Sequence, residues 1–253
     1  MPRRDAYYWR LVATAGCFIV FGAAALGLGL VVFPALRVLP GTRAAHRARV
    51  RRTLGAALRW FASFMRAVGV LTYELRGLER LGRPGQLVLA NHPTLIDVVF
   101  LLGFAPSSSC VVKQALWTNP FTRWPVAAAG YVSNAPTDLM IEDAAAALRG
   151  GQSVIIFPEG TRTVPGQPLH FHRGAAAIAI RAATVVTPVY IRCVPPTLGK
   201  RDPWYRIADG RVRFSIETGE DIDPEPLRRL APPLAARELN DRLMQVFTAQ
   251  LAE

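Results

Sequence analysis

The stretch Val88-Leu89-Ala90-Asn91-His92-Pro93-Thr94-Leu95-Ile96-Asp97 delivers a histidine from an apolar run into a proline-broken turn, with an aspartate five residues later. Residues 86–90 read as a short buried strand, and Pro93 forbids helix at His92 while being tolerated close to a helix start. The next helix is therefore expected from about Thr94. On one continuous helix, residues five apart stand roughly 140° apart around the axis and do not meet. With His92 in the turn and Asp97 in the first helical turn, the carboxylate can fold back onto the imidazole. An Asp so placed fixes the tautomer of a His that acts as general base. A structural reading competes: Thr94-Leu95-Ile96-Asp97 has capping-box spacing in its acidic variant, so that Asp97 satisfies only the amides of a helix start and His92 is a turn residue.

Outward from this strand–turn–helix unit, short apolar runs alternate with helical periodicity, the signature of a mostly parallel or mixed sheet flanked by helices. Strands are expected at residues 73–76, 86–90, 110–113, 153–157, 185–191 and 212–217, and helices at 94–104, 138–149, 174–183 and 235–251. Residues 79–85 and 195–210 read as loops. The second is long enough to face a substrate or to touch a membrane through Trp204 and Tyr205.

Upstream the character changes. The 253 residues are 51% hydrophobic with net charge +12, and the mean hydropathy is +0.22. This suits one sizeable α/β domain plus a more apolar addition. Residues 1–76 hold twelve Arg against Asp5 and Glu74, leaving +10 there and only +2 in the rest of the chain. Residues 11–33 carry no charge; at 1.5 Å per residue they reach about 35 Å, enough to cross a hydrocarbon core of about 30 Å. Basic residues flank both ends (Arg3, Arg4 and Arg10 before, Arg37 and Arg43 after), and a bent, monotopic insertion would satisfy both flanks. From Arg43 onward Val50, Leu54, Leu58, Phe61, Met65 and Val68 recur at three and four among arginines, a basic amphipathic helix expected at the membrane interface with Trp60 near the headgroups. The expected organisation is a membrane-binding segment, residues 1–70 (apolar 11–33, amphipathic 43–70), and an α/β domain, residues 71–253.

The same composition weighs against other classes. Nucleic acid is not the expected partner of the basic block, because no recognised binding motif accompanies it. Cys17, Cys110 and Cys193 are odd in number and widely spaced, with no disulfide framework or CxxC pattern. A reducing, cytosol-facing setting is the simplest reading.

A second constellation lies at another strand end. Ser153-Val154-Ile155-Ile156-Phe157 runs into Pro158-Glu159-Gly160-Thr161-Arg162-Thr163. A Gly and two hydroxyls beside an Arg suit an anion, since Arg presents a rigid fork of donors matching phosphate. Ligands of open α/β sheets bind at strand carboxyl ends, where His92 also sits. The competing reading is a polar turn with Arg162 paired to Glu159.

Asn91-His92-Pro93-Thr94-Leu95-Ile96-Asp97 resembles the His-x4-Asp motif of the glycerolipid acyltransferases, specifically the 1-acylglycerol-3-phosphate (lysophosphatidic acid) acyltransferase family. Residues 157–163 resemble that family's phosphate-binding block and Val186-Thr187-Pro188-Val189 its later apolar block. The resemblance covers about residues 75–191. It implies the glycerolipid acyltransferase fold, with His92 as general base and Asp97 orienting it. Arg162, with Gly160 and Thr161, would hold the acceptor phosphate, Glu159 would support that loop, and Lys113 would match a further phosphate-contacting basic position. It implies no cofactor and no metal, with acyl-CoA or acyl carrier protein as co-substrate; the heavier basic flank after the apolar stretch is expected to keep the catalytic domain in the cytosol, on the inner membrane. The expected reaction esterifies a lysophospholipid, foremost lysophosphatidic acid to phosphatidic acid.

Two departures from the family pattern bear on the acceptor. The intermediate block reads Lys113-Gln114-Ala115-Leu116 with Pro120 and Gly130, with Ala115 in place of the usual Glu. Tyr131-Val132-Ser133-Asn134 ends in Asn where an Arg is common. An ornithine lysolipid or another unusual acceptor therefore stays open. So do a noncatalytic lipid-binding protein and a hydrolase that uses His92 to activate water, although no Gly-x-Ser-x-Gly nucleophile is present. His170 and His172 flank Phe171, but a metal site there is not expected, because thioester transfer requires none and no His pair has i, i+4 spacing.

Overall fold

The computed structural model describes residues 6–105, 107–164, 166–200 and 202–252. Arg3 and Arg4, two of the three arginines of the expected N-terminal flank, lie outside them. In chain order the elements are α1 (Tyr7–Gly27), a π-helical turn (Leu28–Val32), α2 (Phe33–Val38), α3 (Arg43–Ala67), β1 (Leu71–Arg76), β2 (Gln86–Ala90), α4 (Asp97–Phe104), β3 (Ser109–Val112), α5 (Ala115–Thr118), α6 (Arg123–Ala129), β4 (Val132–Ser133), α7 (Thr137–Arg149), β5 (Val154–Ile156), α8 (Gly174–Ala182), β6 (Val185–Val194), β7 (Val212–Thr218) and α9 (Pro232–Ala252). The sheet order is β1-β7-β6-β2-β5-β3-β4, with every neighbour pair parallel except β6–β7. A mixed, mostly parallel sheet flanked by helices is what the alternating pattern predicts.

β2 lies near the middle of the sheet and every one of its residues is buried. Strand alternation divides it between two cores. Val88 and Ala90 face the helices α3, α4 and α6, while Leu87 and Leu89 face α7, α8 and α9; β5 does the same with Ile155 on one side and Val154 and Ile156 on the other. A strand covered on both faces reads as a continuous apolar run, which is why Gln86–Ala90 is recognisable. Asn91 prolongs the β2–β6 pairing by side chain where the strand ends: its amide nitrogen donates to the Ile191 carbonyl at 2.8 Å and its oxygen accepts the Ile191 N–H at 2.7 Å. The start of the His92 turn is thereby tied to the sheet.

Three expectations need correction. Helix α4 starts at Asp97 rather than near Thr94, because the Thr94 N–H and hydroxyl are both taken by the Asp97 carboxylate. The stretches at α5, α6 and β4 carry structure that the periodicity did not reveal, being two to seven residues long and interrupted by Pro120 and Pro125. The apolar stripe of α3 does not face lipid: Val50, Leu54, Leu58, Phe61 and Met65 are buried against α4 and the sheet. A Cβ on Gly55 would lie 3.0 Å from the Leu102 carbonyl oxygen, so the two helices approach closely there. Only the outer face remains for the interface, with Trp60 exposed and stacked on Phe64 at 5.5 Å. Residues 43–67 thus share the core of the α/β unit rather than forming a separate appendage.

Residues Tyr7–Val38 form the one described helix long and apolar enough to cross a membrane, and only 17% of its most apolar window is buried. It nonetheless follows the body of the fold. Near its start the Trp9 indole N–H donates to the Val68 carbonyl at 2.9 Å, and Arg10 donates to the carbonyls of Ala208, Asp209 and Gly210 at 2.6–2.8 Å. Further along, Phe18 meets Trp204 and Phe21 meets Phe61, with ring centroids 5.8 and 5.4 Å apart.

At the end of β2 opposite His92, Asp221 accepts from Arg83 and from the Thr187 hydroxyl, both at 2.7 Å, and Arg80 stands 3.3 Å away. The Arg83 guanidinium, foremost, holds the Asp221 carboxyl down at about 2. A depressed acid stabilises the fold fully above its ordinary value near 4, and that contribution is lost as pH falls from about 4 to about 2. Asp221→Asn is expected to cost about 1 kcal/mol at neutral pH, a value reduced for its partial exposure, and to flatten the acid limb of stability. Urea unfolding in detergent at pH 7 and pH 3 reads both; an unchanged difference between the two pH values would remove this role.

Candidate active site

His92 is the second residue past β2, and its ring is oriented from three directions. Nδ1 lies 2.8 Å from Asp97 Oδ2. The ring stacks on Phe157, centroid to centroid 4.1 Å. Its backbone N–H is shared between Glu159 Oε1 at 3.0 Å and the Thr163 hydroxyl oxygen at 3.1 Å, and its carbonyl accepts the Thr163 N–H at 2.7 Å. With Nδ1 committed to the carboxylate, Nε2 is the nitrogen presented to the cavity that His92 lines.

Asp97 is fully buried and accepts, besides His92, the Thr94 N–H at 2.7 Å and the Thr94 hydroxyl at 2.5 Å. Burial pushes its carboxyl up from the ordinary carboxylate range, while the hydrogen bonds from His92 and Thr94 pull against that shift. Capping and orienting are therefore not alternatives here. One carboxylate closes the helix start with one set of lone pairs and fixes the imidazole with another.

The second motif is brought beside the first because β5 pairs directly with β2. Glu159 does not point into the cavity. It lies behind His92, accepting the Thr163 hydroxyl at 2.6 Å as well as the His92 N–H, and burial pushes its carboxyl upward against those bonds. No ion pair joins Arg162 to Glu159, so the pairing expected of a polar turn is not formed. Arg162 instead donates through Nη1 to the carbonyls of Leu198 at 2.9 Å and Gly199 at 2.8 Å, and the Leu198 carbonyl also accepts the Leu95 N–H at 3.2 Å. The 195–210 loop is thus strapped to both motifs.

Lys113, Gly160 and Arg162 line the same cavity as His92, whereas Glu159 and Thr161 are not on its wall. Gly160 has φ +63°, and a Cβ there would press on the His172 ring at 3.1 Å. A side chain at residue 160 would meet both a backbone and a steric penalty. Asn134, in the position where an Arg is common, is a turn residue whose side-chain oxygen accepts the Gln114 N–H at 3.0 Å.

The cavity has a volume of about 700 Å³ and is largely apolar. From His92 it runs past Ile96 and Val99 to Phe21, Phe61 and Met65 beneath α1. His92, Arg162 and a largely apolar wall therefore share one space. His172 is a wall residue that sequence reasoning weighed only as a metal ligand; among the described residues no three His, Cys, Asp or Glu side chains gather as a ligand set. Asn91 and Phe157, which help hold His92 in place, were not singled out, and their adjacency in the two motifs was the available signal; Thr163, read as one hydroxyl of the anion site, instead accepts the His92 N–H and donates to Glu159.

Residues 72–192 match the family model described as Acyltransferase. The chain is 30% identical over 184 residues to 1-acyl-sn-glycerol-3-phosphate acyltransferase of Pseudomonas aeruginosa, covering 70% of each protein. It is 32% identical over 178 residues to a lyso-ornithine lipid O-acyltransferase of the same organism, covering 68% of this chain and 65% of that one. In fold it is similar to the crystal structure of the 1-acyl-sn-glycerophosphate acyltransferase PlsC from Thermotoga maritima, with TM-score 0.67, 21% identity, and coverage of 95% and 98%. The family model spans both motifs and the sheet that joins them, and with the 30% identity over 70% of each protein the chain belongs to the 1-acyl-sn-glycerol-3-phosphate acyltransferase family of acyltransferases.

Proposed function

We propose that this acyltransferase moves a fatty acyl group from an acyl thioester, on coenzyme A or acyl carrier protein, to the free hydroxyl of a lysophospholipid, foremost 1-acylglycerol-3-phosphate, giving phosphatidic acid. The observation that carries the reading is the His92–Asp97 pair, 2.8 Å apart, opening onto an apolar channel with Arg162 on its wall. His92 Nε2 takes the proton of the acceptor hydroxyl while its oxygen attacks the thioester carbonyl carbon. The tetrahedral intermediate collapses with cleavage of the C–S bond, and the leaving sulfur takes the proton back from the imidazolium. Asp97 holds the tautomer and offsets the transient positive charge. No enzyme nucleophile and no cofactor enters this sequence.

Arg162 and Lys113 supply the positive charge for the acceptor headgroup, and the Arg162 donors beyond Nη1 meet it. Arg162→Ala is expected to raise the acceptor KM on the order of ten- to a hundredfold, the range for a lost charged hydrogen bond, with a smaller effect on kcat. Steady-state kinetics at varied acceptor check this; an unchanged KM would confine Arg162 to fastening the 195–210 loop.

A second acceptor has its own support: Asn134 in place of an Arg, and the relative that acts on lyso-ornithine lipid. A thioester-release assay with both donors and a panel of lysolipids, products identified by mass spectrometry, separates the readings. Phosphatidic acid as product supports the first. Transfer confined to lyso-ornithine lipid replaces it while keeping the chemistry, and free fatty acid without a new ester would assign hydrolysis instead.

The helix 7–38 is the membrane anchor in this reading. Its contacts with the body from Trp9 to Phe21 favour a helix lying in the membrane surface, half embedded, over one that leaves the domain to cross. The basic block belongs at the anionic cytosolic face of the inner membrane, where the acceptor resides.

A further inference from the structure

The α5–α6 region, residues 115–129, takes no part in the chemistry above, yet it places two large rings in solvent beside the anchor. Phe121 is 46% and Trp124 47% exposed, on a segment with few other reasons to keep aromatics outside. Both sit against the anchor helix. The nearest approach of Phe121 to the Cβ position of Gly22 is 4.0 Å, and a Cβ on Gly29 would lie only 2.9 Å from Trp124 Cβ. Gly29 falls in the π-helical turn, so the widened helix and the missing side chain together admit Trp124. The anchor residues Leu30 and Val31, which follow Gly29 in sequence, are 59% and 66% exposed, so exposed apolar side chains stand on both sides of this contact. Arg123 covers the Trp124 ring at 4.9 Å, putting a cation at the same level.

We infer that residues 117–124 are a second membrane-inserting element, seated in the headgroup–acyl boundary of an anionic bilayer beside the anchor helix. The occupant follows from two observations. The exposed rings abut the apolar N-terminal helix, and exposed Arg123 stands over one of them, an aromatic-and-Arg combination suited to the boundary between hydrocarbon and phosphate. The consequence concerns the substrate. Leu116 and Thr122, in the same segment, line the cavity of His92, so the embedded segment adjoins the channel on the side from which a lysolipid leaves the bilayer. Phe121 and Trp124 themselves are not on the cavity wall.

The inference rests on the membrane reading, and the test separates the two. The full chain is mixed with vesicles of phosphatidylglycerol and phosphatidylethanolamine, with or without brominated acyl chains, and both sedimentation and Trp fluorescence are read. The wild type is expected to sediment and to be quenched, and Trp124→Phe to sediment equally while losing a resolvable part of the quenched intensity. Phe121→Asp/Trp124→Asp is expected to lower vesicle partitioning on the order of tenfold, with its turnover in detergent micelles unchanged as the control for folding. Quenching identical in wild type and Trp124→Phe, with vesicle binding retained, overturns this inference and leaves the anchor standing. No sedimentation of the wild type overturns both. A change of oligomeric state in the double variant with partitioning unchanged would assign the surface to a second copy of the chain and overturn the inference as well.

Discussion

His92→Ala is expected to lower kcat on the order of 10² to 10⁴, the span observed for a positioned acid–base group, with donor and acceptor KM little changed. The size follows from the chemistry: an alcohol is a weak nucleophile until its proton has somewhere to go, and His92 Nε2 is the base that the geometry presents to the channel. The fold should survive the change. The ring is partly exposed, and the contacts that anchor the turn are made by the backbone of residue 92, whose N–H and carbonyl remain to bind Glu159 and Thr163. Removing the ring forfeits its stacking on Phe157, a cost of about 1 kcal/mol. Single-turnover transfer with a fixed thioester donor, alongside a melting curve, measures both. Normal turnover in this variant would sink the general-base mechanism.

Asp97→Asn is expected to produce a loss of similar order, 10² to 10⁴ in kcat, by a different route. The volume is conserved, but one oxygen becomes an NH₂ donor. Asp97 now accepts three hydrogen bonds and donates none. An Asn there must place its NH₂ either at the Oδ1 position, against the Thr94 hydroxyl, or at the Oδ2 position, against both the Thr94 N–H and His92 Nδ1. In the second case Nδ1 becomes an acceptor, the ring proton moves to Nε2, and the nitrogen facing the acceptor can no longer take a proton. The positive charge that forms on the ring during attack also loses its buried partner. Removing a buried charge relieves desolvation, so the net effect on stability is expected to stay within about 2 kcal/mol. The diagnostic pairing is a collapsed kcat with a near-native melting temperature. A kcat close to wild type would leave Asp97 only its capping role, and unfolding would make capping its dominant one.

The two central motifs were legible because each compresses its chemistry into a few adjacent residues. A β-strand with both faces covered must be apolar throughout, so residues 86–90 and 154–156 announce themselves, and the polar residues that follow are at strand ends by necessity. Residues 115–134 were legible only as a block of family spacing. Their helices are too short for period 3.6 to emerge, and their exposed aromatics acquire meaning only from the apolar N-terminal helix beside them. The basic helix α3 shows the opposite failure: the periodicity was read correctly, but periodicity reports that a face is buried and not what buries it.

The chain by itself determined the class of fold, the His–Asp pair, the Gly160–Arg162 loop at a strand end and the apolar N-terminal helix, because these depend on local order: alternation, proline placement and near neighbours in sequence. Tertiary structure alone decided which face of α3 meets protein and that Asp97 serves helix and imidazole at once. It also turned Glu159 behind His92, directed Arg162 to the carbonyls of the 195–210 loop, and brought His92, Arg162 and an apolar wall into one cavity. Each of these depends on which of many chemically equivalent partners lies within hydrogen-bond or van der Waals reach. That choice is made by the pairing of β2 with β5 and β6 and by the seating of helices on the sheet, interactions between residues up to a hundred positions apart.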